Sequence, residues 1–296
     1  MFLGLGLIFG SFLNVCIYRM PRELSVVAPR SQCPSCGMPI AFYDNIPVLS
    51  WVILGGKCRN CGTAISPRYV FVEVLTGVFF LLSYLSAGAS PAALKLCVLS
   101  FFLLGLIFTD AETKLLPDLL TKPGIVLGLL FSLFVAVEGP AGYFLHRVPA
   151  RWLSGLNSLA GMLLGAAFIL GIALLYEAVR GVEGMGRGDV KLMAMIGAFL
   201  GVRLTLVVLL LGSLIGSVFG LLLIFWVWLK RLSRRRRRVP DEPAAAARGR
   251  AWRSAILIYR NFEIPFGVFL GAAALFAAFW GDSLWRWYAR FSGLWR

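Results

Sequence analysis

The chain has 296 residues, of which 59% are hydrophobic, with a mean hydropathy of +0.82 and a formal net charge of +15. An ordinary soluble domain is less apolar than this, so the composition excludes that class and predicts a polytopic membrane protein. The charge does not indicate nucleic-acid binding, because 11 of the 29 basic residues lie between Lys230 and Arg260, and uneven charge of this kind reports membrane topology.

Taken in chain order, the apolar segments predict an all-α polytopic protein with about eight transmembrane helices. The first segment, residues 1–18, has no basic leader and is interpreted as a membrane helix rather than a cleavable signal peptide. A polar region, residues 19–68, follows it and is predicted to be a small cytoplasmic domain. The remaining part, residues 69–296, is predicted to span the membrane at 69–87, 93–108, 123–137, 156–176, 190–201, 204–229 and 266–280.

The basic loops decide the predicted orientation. With eight spans, most Lys and Arg residues fall on one side of the membrane, and the positive-inside rule makes that side the cytoplasm. The loops on this side are 19–68, 110–122, 177–191 and 230–260.

Two CxxC pairs in the polar region predict a metal site. The pairs are Cys33 with Cys36 and Cys58 with Cys61, and a glycine follows each pair. This pattern is typical of zinc knuckles, in which four thiolates surround one tetrahedral ion and leave no open position for catalysis. We therefore predict a structural zinc ion, with two disulfides as the weaker alternative in a reducing compartment. The other two cysteines, Cys16 and Cys97, lie in apolar runs and are predicted to pack in the core.

Two carboxylates are candidates for catalysis because each lies where an apolar segment meets a predicted cytoplasmic loop. Asp110 ends one apolar run, and Asp189 begins another after Gly186 and Gly188. Two carboxylates held close together cannot both ionise cheaply, so one donates a proton while the other accepts one from water, as in aspartic proteases. A helix dipole at Asp189 would favour its ionised form, so the sequence-based hypothesis makes Asp189 the base and Asp110 the acid.

Simpler interpretations of these acids stay open. Asp is a common helix cap, so Asp189 could cap a helix while Asp110 is solvated in a loop. A transporter that relays protons through intramembrane carboxylates is a second alternative. The neighbouring acids Glu112, Asp118 and Glu183 are predicted to have surface or supporting roles.

Absent motifs narrow the chemistry further. The one histidine, His146, lies in a loop predicted to be on the opposite side of the membrane, so a Ser-His-Asp or Cys-His mechanism lacks its base. No HExxH motif occurs, which excludes the common zinc-protease helix, and no Rossmann-type glycine-rich loop is visible. If this chain hydrolyses a peptide bond, carboxylates are therefore the expected catalytic groups.

The arginine run from Arg234 to Arg238 lies in the basic loop 230–260. Its preferred interpretation is a signal that keeps this loop in the cytoplasm. Binding of anionic lipid headgroups is the alternative, and nucleic acid is the least favoured partner.

Together these motifs resemble the bacterial type IV prepilin peptidases, and the resemblance covers nearly the whole chain. GxGD alone would be a weak signal, but several motifs match at once. They are Gly10 to Val15, Tyr18-Arg19 with Pro21, both CxxC pairs, Asn45 to Trp51, Ser66 to Tyr69 with Glu73, Leu115 to Asp118, and Gly186-x-Gly188-Asp189-x-Lys191-Leu192.

The resemblance implies an integral aspartic peptidase of the bacterial cytoplasmic (inner) membrane. Such enzymes cut the basic leader from type IV prepilins or type II secretion pseudopilins at the cytoplasmic face. They then methylate the new N-terminal residue, usually Phe, with S-adenosylmethionine. Asp110 and Asp189 occupy the catalytic positions of the family, and the four-cysteine region is characteristic of methylating members. The remaining motif residues are Pro117, Asp118, Gly186, Gly188 and Lys191.

Three functions stay open from the sequence. The first is a bifunctional peptidase and methyltransferase. The second is a peptidase whose zinc loop is only a dock for substrate. The third is a proton-coupled transporter or a scaffold without hydrolytic activity.

Overall fold

The computed structural model describes residues 1–140, 149–181, 186–238, 242–260 and 265–291. Two positions considered above, His146 and Glu183, lie outside these ranges. Within them the regular structure is helical, apart from two isolated β-bridges between Gln32 and Pro39 and between Lys57 and Ala64.

Nine α-helices follow one another along the described residues, and short 3-10 turns lie at 20–22 and 42–45. The helices are α1 (Phe2–Arg19), α2 (Leu49–Ile53), α3 (Arg68–Ala87), α4 (Pro91–Thr113), α5 (Asp118–Phe131), α6 (Ala150–Arg180), α7 (Arg187–Arg238), α8 (Ala244–Arg260) and α9 (Phe266–Phe291).

Local sequence sets both ends of α4, the helix that carries Asp110. At its start the Ser90 hydroxyl accepts a hydrogen bond from the Ala93 N–H at 3.3 Å, and Pro91 fills the first helical position. At its end Lys114 takes a left-handed conformation (φ 56°), and its N–H bonds to the carbonyl oxygen of Asp110. The end of α4 therefore fixes Asp110 in the last turn of the helix.

Six of the described helices are long and apolar enough to cross a membrane: α1, α3, α4, α6, α7 and α9. The expected all-helical membrane architecture is confirmed, but the count of eight spans is not. Helix α5 has 14 residues and is about 21 Å long, which is shorter than a hydrocarbon core of about 30 Å. The expected spans 190–201 and 204–229 are two parts of α7 that meet at a kink, where Gly201 is non-helical (φ 73°, ψ 179°).

Contacts on either side of Gly201 show that the chain reverses direction there. Just after Gly201, Leu204 lies against position 281, late in α9. Further along α7, the contacts are with residues earlier in α9: Gly212 lies against Leu270 and Gly216 lies against Phe269. The segment after Gly201 therefore runs antiparallel to α9, back towards the end of the bundle from which α9 starts.

Charged pairs mark two opposite ends of the bundle. At one end Arg68 pairs with Glu112, and Lys191 pairs with Asp118. At the other end Arg203 pairs with both Glu138 and Asp282. Three of the loops predicted to be cytoplasmic, 19–68, 110–122 and 177–191, thus meet at one end.

Glycines let α6 and α7 touch through their backbones. A side chain at Gly161 would place its Cβ 2.6 Å from the Gly197 carbonyl oxygen, and one at Gly165 would lie 2.7 Å from the Met193 carbonyl oxygen. Small residues of this kind are the usual means of close helix association in membranes. The contact holds the first part of α7, and Asp189 with it, firmly against α6.

We therefore expect Gly197→Ala to destabilise the protein, because its methyl group would meet the backbone of Gly161. Overpacking of a filled interface typically costs about 1–3 kcal/mol. The measurement is the thermal unfolding midpoint in detergent. The matched control is Gly171→Ala on α6, where nothing lies within 4 Å of the added methyl group. Equal midpoints for the two variants would contradict the backbone contact.

Candidate active site and metal centre

The Asp110 carboxylate lies in the last turn of α4 and is 5% exposed. Its Oδ2 accepts a hydrogen bond from the Val268 N–H at 3.0 Å, and the Gly267 N–H also bonds to this carboxyl group. Both donors belong to the first turn of α9, where backbone N–H groups have no partner within the helix. The N-terminus of α9 therefore points at Asp110, an arrangement that stabilises a negative charge there.

The Asp189 carboxylate lies in the first turn of α7 and is 9% exposed. Its N–H donates to the Gly186 carbonyl oxygen at 3.1 Å, so the motif forms the start of the helix as expected. Gly188, next to Asp189, and Gly267, which lies against the Asp110 Oδ2, both lie against Leu116, so the two acids flank the same side chain. The structure therefore brings together the two acids that the sequence singled out, although 78 residues separate them.

Leu116 fills the space beside this pair. A Cβ at Gly188 would lie 3.0 Å from the Leu116 Cβ, and one at Gly267 would lie 3.3 Å from the Leu116 Cδ1. A Cβ at Gly267 would also stand 2.9 Å from the Asp110 Oδ2. Glycine at these two positions lets α7 and α9 close around the turn between α4 and α5.

Asp118 ties this turn to α7. Its two carboxylate oxygens pair with the Lys191 Nζ at 2.5 Å and the Lys122 Nζ at 2.7 Å. Hydrogen bonds from Lys122 and Lys191 hold the pKa of Asp118 below its usual value. Pro117 precedes α5 with an extended conformation, and its carbonyl oxygen accepts from the Leu120 N–H. Asp118 and Lys191 therefore fix the distance between α5 and the helix that carries Asp189.

Sequence reasoning missed Gly267 and Val268, which give Asp110 its backbone donors. A signal was available, because Pro265-Phe266-Gly267 stands at the start of the last apolar run, where a helix N-terminus is expected. Glu112, by contrast, pairs with Arg68, and the side chains of both are partly exposed. This geometry agrees with the supporting role predicted for Glu112.

The four paired cysteines form one cluster. The sulfur atoms of Cys33, Cys36, Cys58 and Cys61 all lie within 4.8 Å of one another. The Cys33 and Cys61 sulfurs are 3.8 Å apart, far longer than a disulfide bond. A tetrahedral zinc ion with Zn–S bonds of about 2.3 Å requires sulfur separations of about 3.8 Å. The four sulfur atoms therefore fit one zinc ion. The cysteines are free thiols, so the alternative of two disulfides is wrong.

Each CxxC pair is built in the same way. The Gly37 N–H bonds to the Cys33 carbonyl oxygen at 2.9 Å, and Gly62 makes the same bond to Cys58. Both glycines have positive φ angles, of 69° and 70°, which explains the glycine after each pair. Hydrogen bonding with Thr63 lowers the pKa of Cys61 to about 6, which favours the thiolate that a metal requires.

The other two cysteines lie apart from this cluster. Cys16 is 1% exposed and Cys97 is 4% exposed. Both are free thiols in the apolar interior, as the sequence predicted for packing residues.

Two family models match the chain. Residues 5–87 match the bacterial peptidase A24 N-terminal domain, and residues 97–221 match the type IV leader peptidase family. The four clustered cysteines fall in the first match, whereas Asp110 and Asp189 both fall in the second.

Curated relatives match over most of the chain. A prepilin leader peptidase/N-methyltransferase of Aeromonas salmonicida strain A449 is 34% identical over 312 residues, covering 96% of this chain and 91% of the relative. Proteins of the same name from Neisseria gonorrhoeae and Pseudomonas aeruginosa are 37% and 31% identical, covering 74% and 98% of this chain and 80% and 92% of their own lengths. No solved structure matches the chain significantly.

Asp118→Asn is expected to lower the thermal unfolding midpoint at pH 7, because it removes the charge that joins α5 to α7. Since the folded pKa of Asp118 is depressed, its stabilising effect is present above the unfolded pKa of about 3.9 and is lost as pH falls through the folded value. The midpoints of wild type and variant should therefore converge only in strong acid. Lys122→Gln, which leaves the Lys191 pair in place, is the matched control and should have a smaller effect at pH 7. An Asp118→Asn midpoint equal to that of wild type at pH 7 would contradict the bridge.

The cysteine cluster predicts about one zinc ion per chain, measured by mass spectrometry of the metal in purified protein. Cys58→Ser should reduce the zinc content to a small fraction of this value, because three thiolates bind zinc far less tightly than four. Cys97→Ser, outside the cluster, should retain the metal. Retention of a full zinc ion by Cys58→Ser would argue against four-thiolate binding.

Proposed function

The chain belongs to the type IV leader peptidase family, and from this we propose that it removes the leader peptide of prepilins or type II pseudopilins and methylates the new N-terminus. The proposed peptidase activity is supported by one observation: Asp110 and Asp189 lie near each other beside the N-terminus of α9. The relatives are named for both activities, and both family models match this chain.

Cleavage is proposed to use the two carboxylates as a pair that shares one proton. One carboxylate removes a proton from water, whose oxygen then attacks the scissile carbonyl carbon. The other carboxylate protonates the carbonyl oxygen, and collapse of the tetrahedral intermediate breaks the C–N bond as the leaving amine takes up a proton.

The hydrogen bonds of Asp110 favour an assignment opposite to the sequence-based hypothesis. Two backbone N–H groups of α9 stabilise the ionised form of Asp110. Asp189, next to that negative charge, is then the member that keeps the shared proton. We assign Asp110 as the base that accepts a proton from water and Asp189 as the acid.

The proposed topology keeps the eight crossings predicted from the sequence. Helix α5 starts at Asp118, beside the aspartates, and the chain that follows reaches Val137, which lies against Gly201. The first part of α7 runs from Asp189 to Gly201, and the second part returns alongside α9. Two short crossings of this kind require local thinning of the bilayer or flanking side chains that extend to its surfaces. In this topology the positive-inside rule favours a position of the aspartates at the cytoplasmic face of the inner membrane.

This position suits a substrate that is itself a membrane helix with a basic leader. The scissile bond at the cytoplasmic edge reaches the carboxylates without being drawn into lipid. The backbone of the substrate must unwind there, because a helix hides its carbonyl groups from attack.

Zinc and S-adenosylmethionine are the proposed cofactors. The zinc ion would be held by Cys33, Cys36, Cys58 and Cys61 and would cross-link residues 19–68. With four protein ligands, the ion would have no open coordination position for a substrate. S-adenosylmethionine would supply the methyl group. The domain organisation proposed is the first membrane helix at 1–18, the zinc domain at 19–68 and the peptidase at 69–296.

We expect Asp110→Asn and Asp189→Asn each to reduce leader cleavage by at least about 10²–10⁴-fold, because each removes one partner of the proton transfer. The measurement is mass spectrometry of a prepilin incubated with each purified variant. The matched control is Glu112→Gln, two residues from Asp110 and paired with Arg68 instead, which should retain cleavage. Wild-type rates in either Asp variant would refute the mechanism, and intact prepilin after incubation with wild type would favour a transporter or scaffold.

A further inference from the structure

A cavity of about 460 Å³ lies between α1 and the segment that leads into and out of the cysteine cluster. Its volume is within the range of about 300–1,000 Å³ that small-ligand sites occupy. Its lining combines apolar, aromatic, hydroxyl, amide and guanidinium groups. The lining residues are Ile8, Ser11, Phe12, Val15, Arg19, Val26, Val27, Pro29, Arg30, Ser31, Ile40, Phe42, Asn45 and Pro47.

Polar contacts fix both rims of this cavity. On one rim the Arg19 guanidinium donates to the carbonyl oxygens of Ser25 at 2.9 Å and Pro29 at 2.8 Å. On the other rim the Glu73 carboxylate accepts from the Val48 N–H at 2.8 Å and is hydrogen-bonded to Ser11. The walls are therefore held by α1 and α3 before a ligand arrives.

The lining suits a ligand with a flat aromatic base, hydroxyl groups and a carboxylate. Phe42 offers an aromatic face, on which a base stacks and to which a cation is attracted. Asn45 can both donate and accept hydrogen bonds, and Arg30 offers a guanidinium that suits a carboxylate. A nucleoside that carries a sulfonium ion and an amino-acid carboxylate contains all of these groups.

The location separates this cavity from the peptidase pair. The cavity lies wholly within the part of the chain that matches the N-terminal family model, 5–87. Asp110 and Asp189 lie in the part that matches the peptidase model, 97–221. A second cavity, lined by Phe276, Trp280, Ser283 and Leu284, lies beside Asp282 at the far end of the bundle and is almost wholly apolar. The cavity and the two aspartates therefore lie in different parts of this chain.

We propose that the cavity between α1 and residues 26–47 binds S-adenosylmethionine, with Phe42 stacked on the adenine, Asn45 bonded to the nucleoside and Arg30 paired with the carboxylate. This inference rests on the proposed methyl transfer. In that reaction the lone pair of the neutral N-terminal amine forms a bond to the methyl carbon as the carbon–sulfur bond breaks. The bonding electrons stay on sulfur in S-adenosylhomocysteine, and the methylated ammonium loses its proton to water.

The test is calorimetric titration of the purified full-length protein with S-adenosylhomocysteine, the stable product. Phe42→Ala should weaken binding at least about tenfold, because base–aromatic stacking contributes substantially to affinity. The matched control is Tyr43→Ala, the next residue in the same 3-10 turn, which is half exposed and does not line the cavity. Arg30→Gln should also weaken binding, whereas Arg22→Gln, a nearby arginine outside the lining, should not. Zinc content measured on each preparation reports whether the domain is folded.

A second measurement uses the unaltered protein, so it does not depend on the folding of any variant. An azido derivative of S-adenosylmethionine, activated by light, should label a peptide within residues 26–47. Labelling outside the two lining segments, residues 8–19 and 26–47, or equal affinities for Phe42→Ala and Tyr43→Ala, would overturn the cavity as the donor site. A separate assay measures the transfer of a labelled methyl group from S-adenosylmethionine to a pre-cleaved pilin by wild type. If wild type transfers the methyl group but the binding results are negative, only the assignment of the cavity is wrong. If wild type transfers no methyl group, both the proposed methyl transfer and the cavity assignment are refuted.

Discussion

The hydrogen bonds between Asp110 and the first turn of α9 are the interaction on which the proposed active site depends. They join residues that are 158 positions apart in the sequence, and they are possible because Gly267 has no side chain. A Cβ there would stand 2.9 Å from the carboxylate oxygen. The helix N-terminus gives Asp110 a place to hold negative charge inside an apolar bundle, where an isolated carboxylate would be costly.

Backbone contact between helices provides the second half of the site. Gly161 and Gly165 bring α6 onto the first part of α7, and Gly201 turns the chain back towards the aspartates. Asp118 and Lys191 then connect α5 to the start of α7. Small residues set the approach of the helices, and charged pairs at the two ends set their register. The site is thus a product of packing along the whole bundle rather than of one motif.

Much of this arrangement could be predicted from the sequence because the motifs are local. The CxxC pairs with their following glycines predict the metal cluster from spacing alone, and apolar runs beside Asp110 and Asp189 predict two carboxylates at helix ends. The lengths of the spans could not be predicted as well, since hydropathy does not show that Gly201 interrupts α7 or that α5 ends at Phe131. The partners of Asp110 were missed because they come from a helix that lies far along the chain. The proposed charge assignment within the pair differs from the sequence-based hypothesis for the same reason.

Chemical cross-linking of positions 110 and 189 tests most directly whether Asp110 and Asp189 share the proposed active site. The chain with Asp110→Cys and Asp189→Cys is treated in membranes with a short bifunctional thiol reagent, and the linked peptides are identified by mass spectrometry. The matched control is Asp110→Cys with Asp282→Cys, because Asp282 pairs with Arg203 at the opposite end of the bundle. We expect a link between positions 110 and 189 and none between 110 and 282. Absence of the first link, with both thiols shown to react singly, would contradict a shared active site.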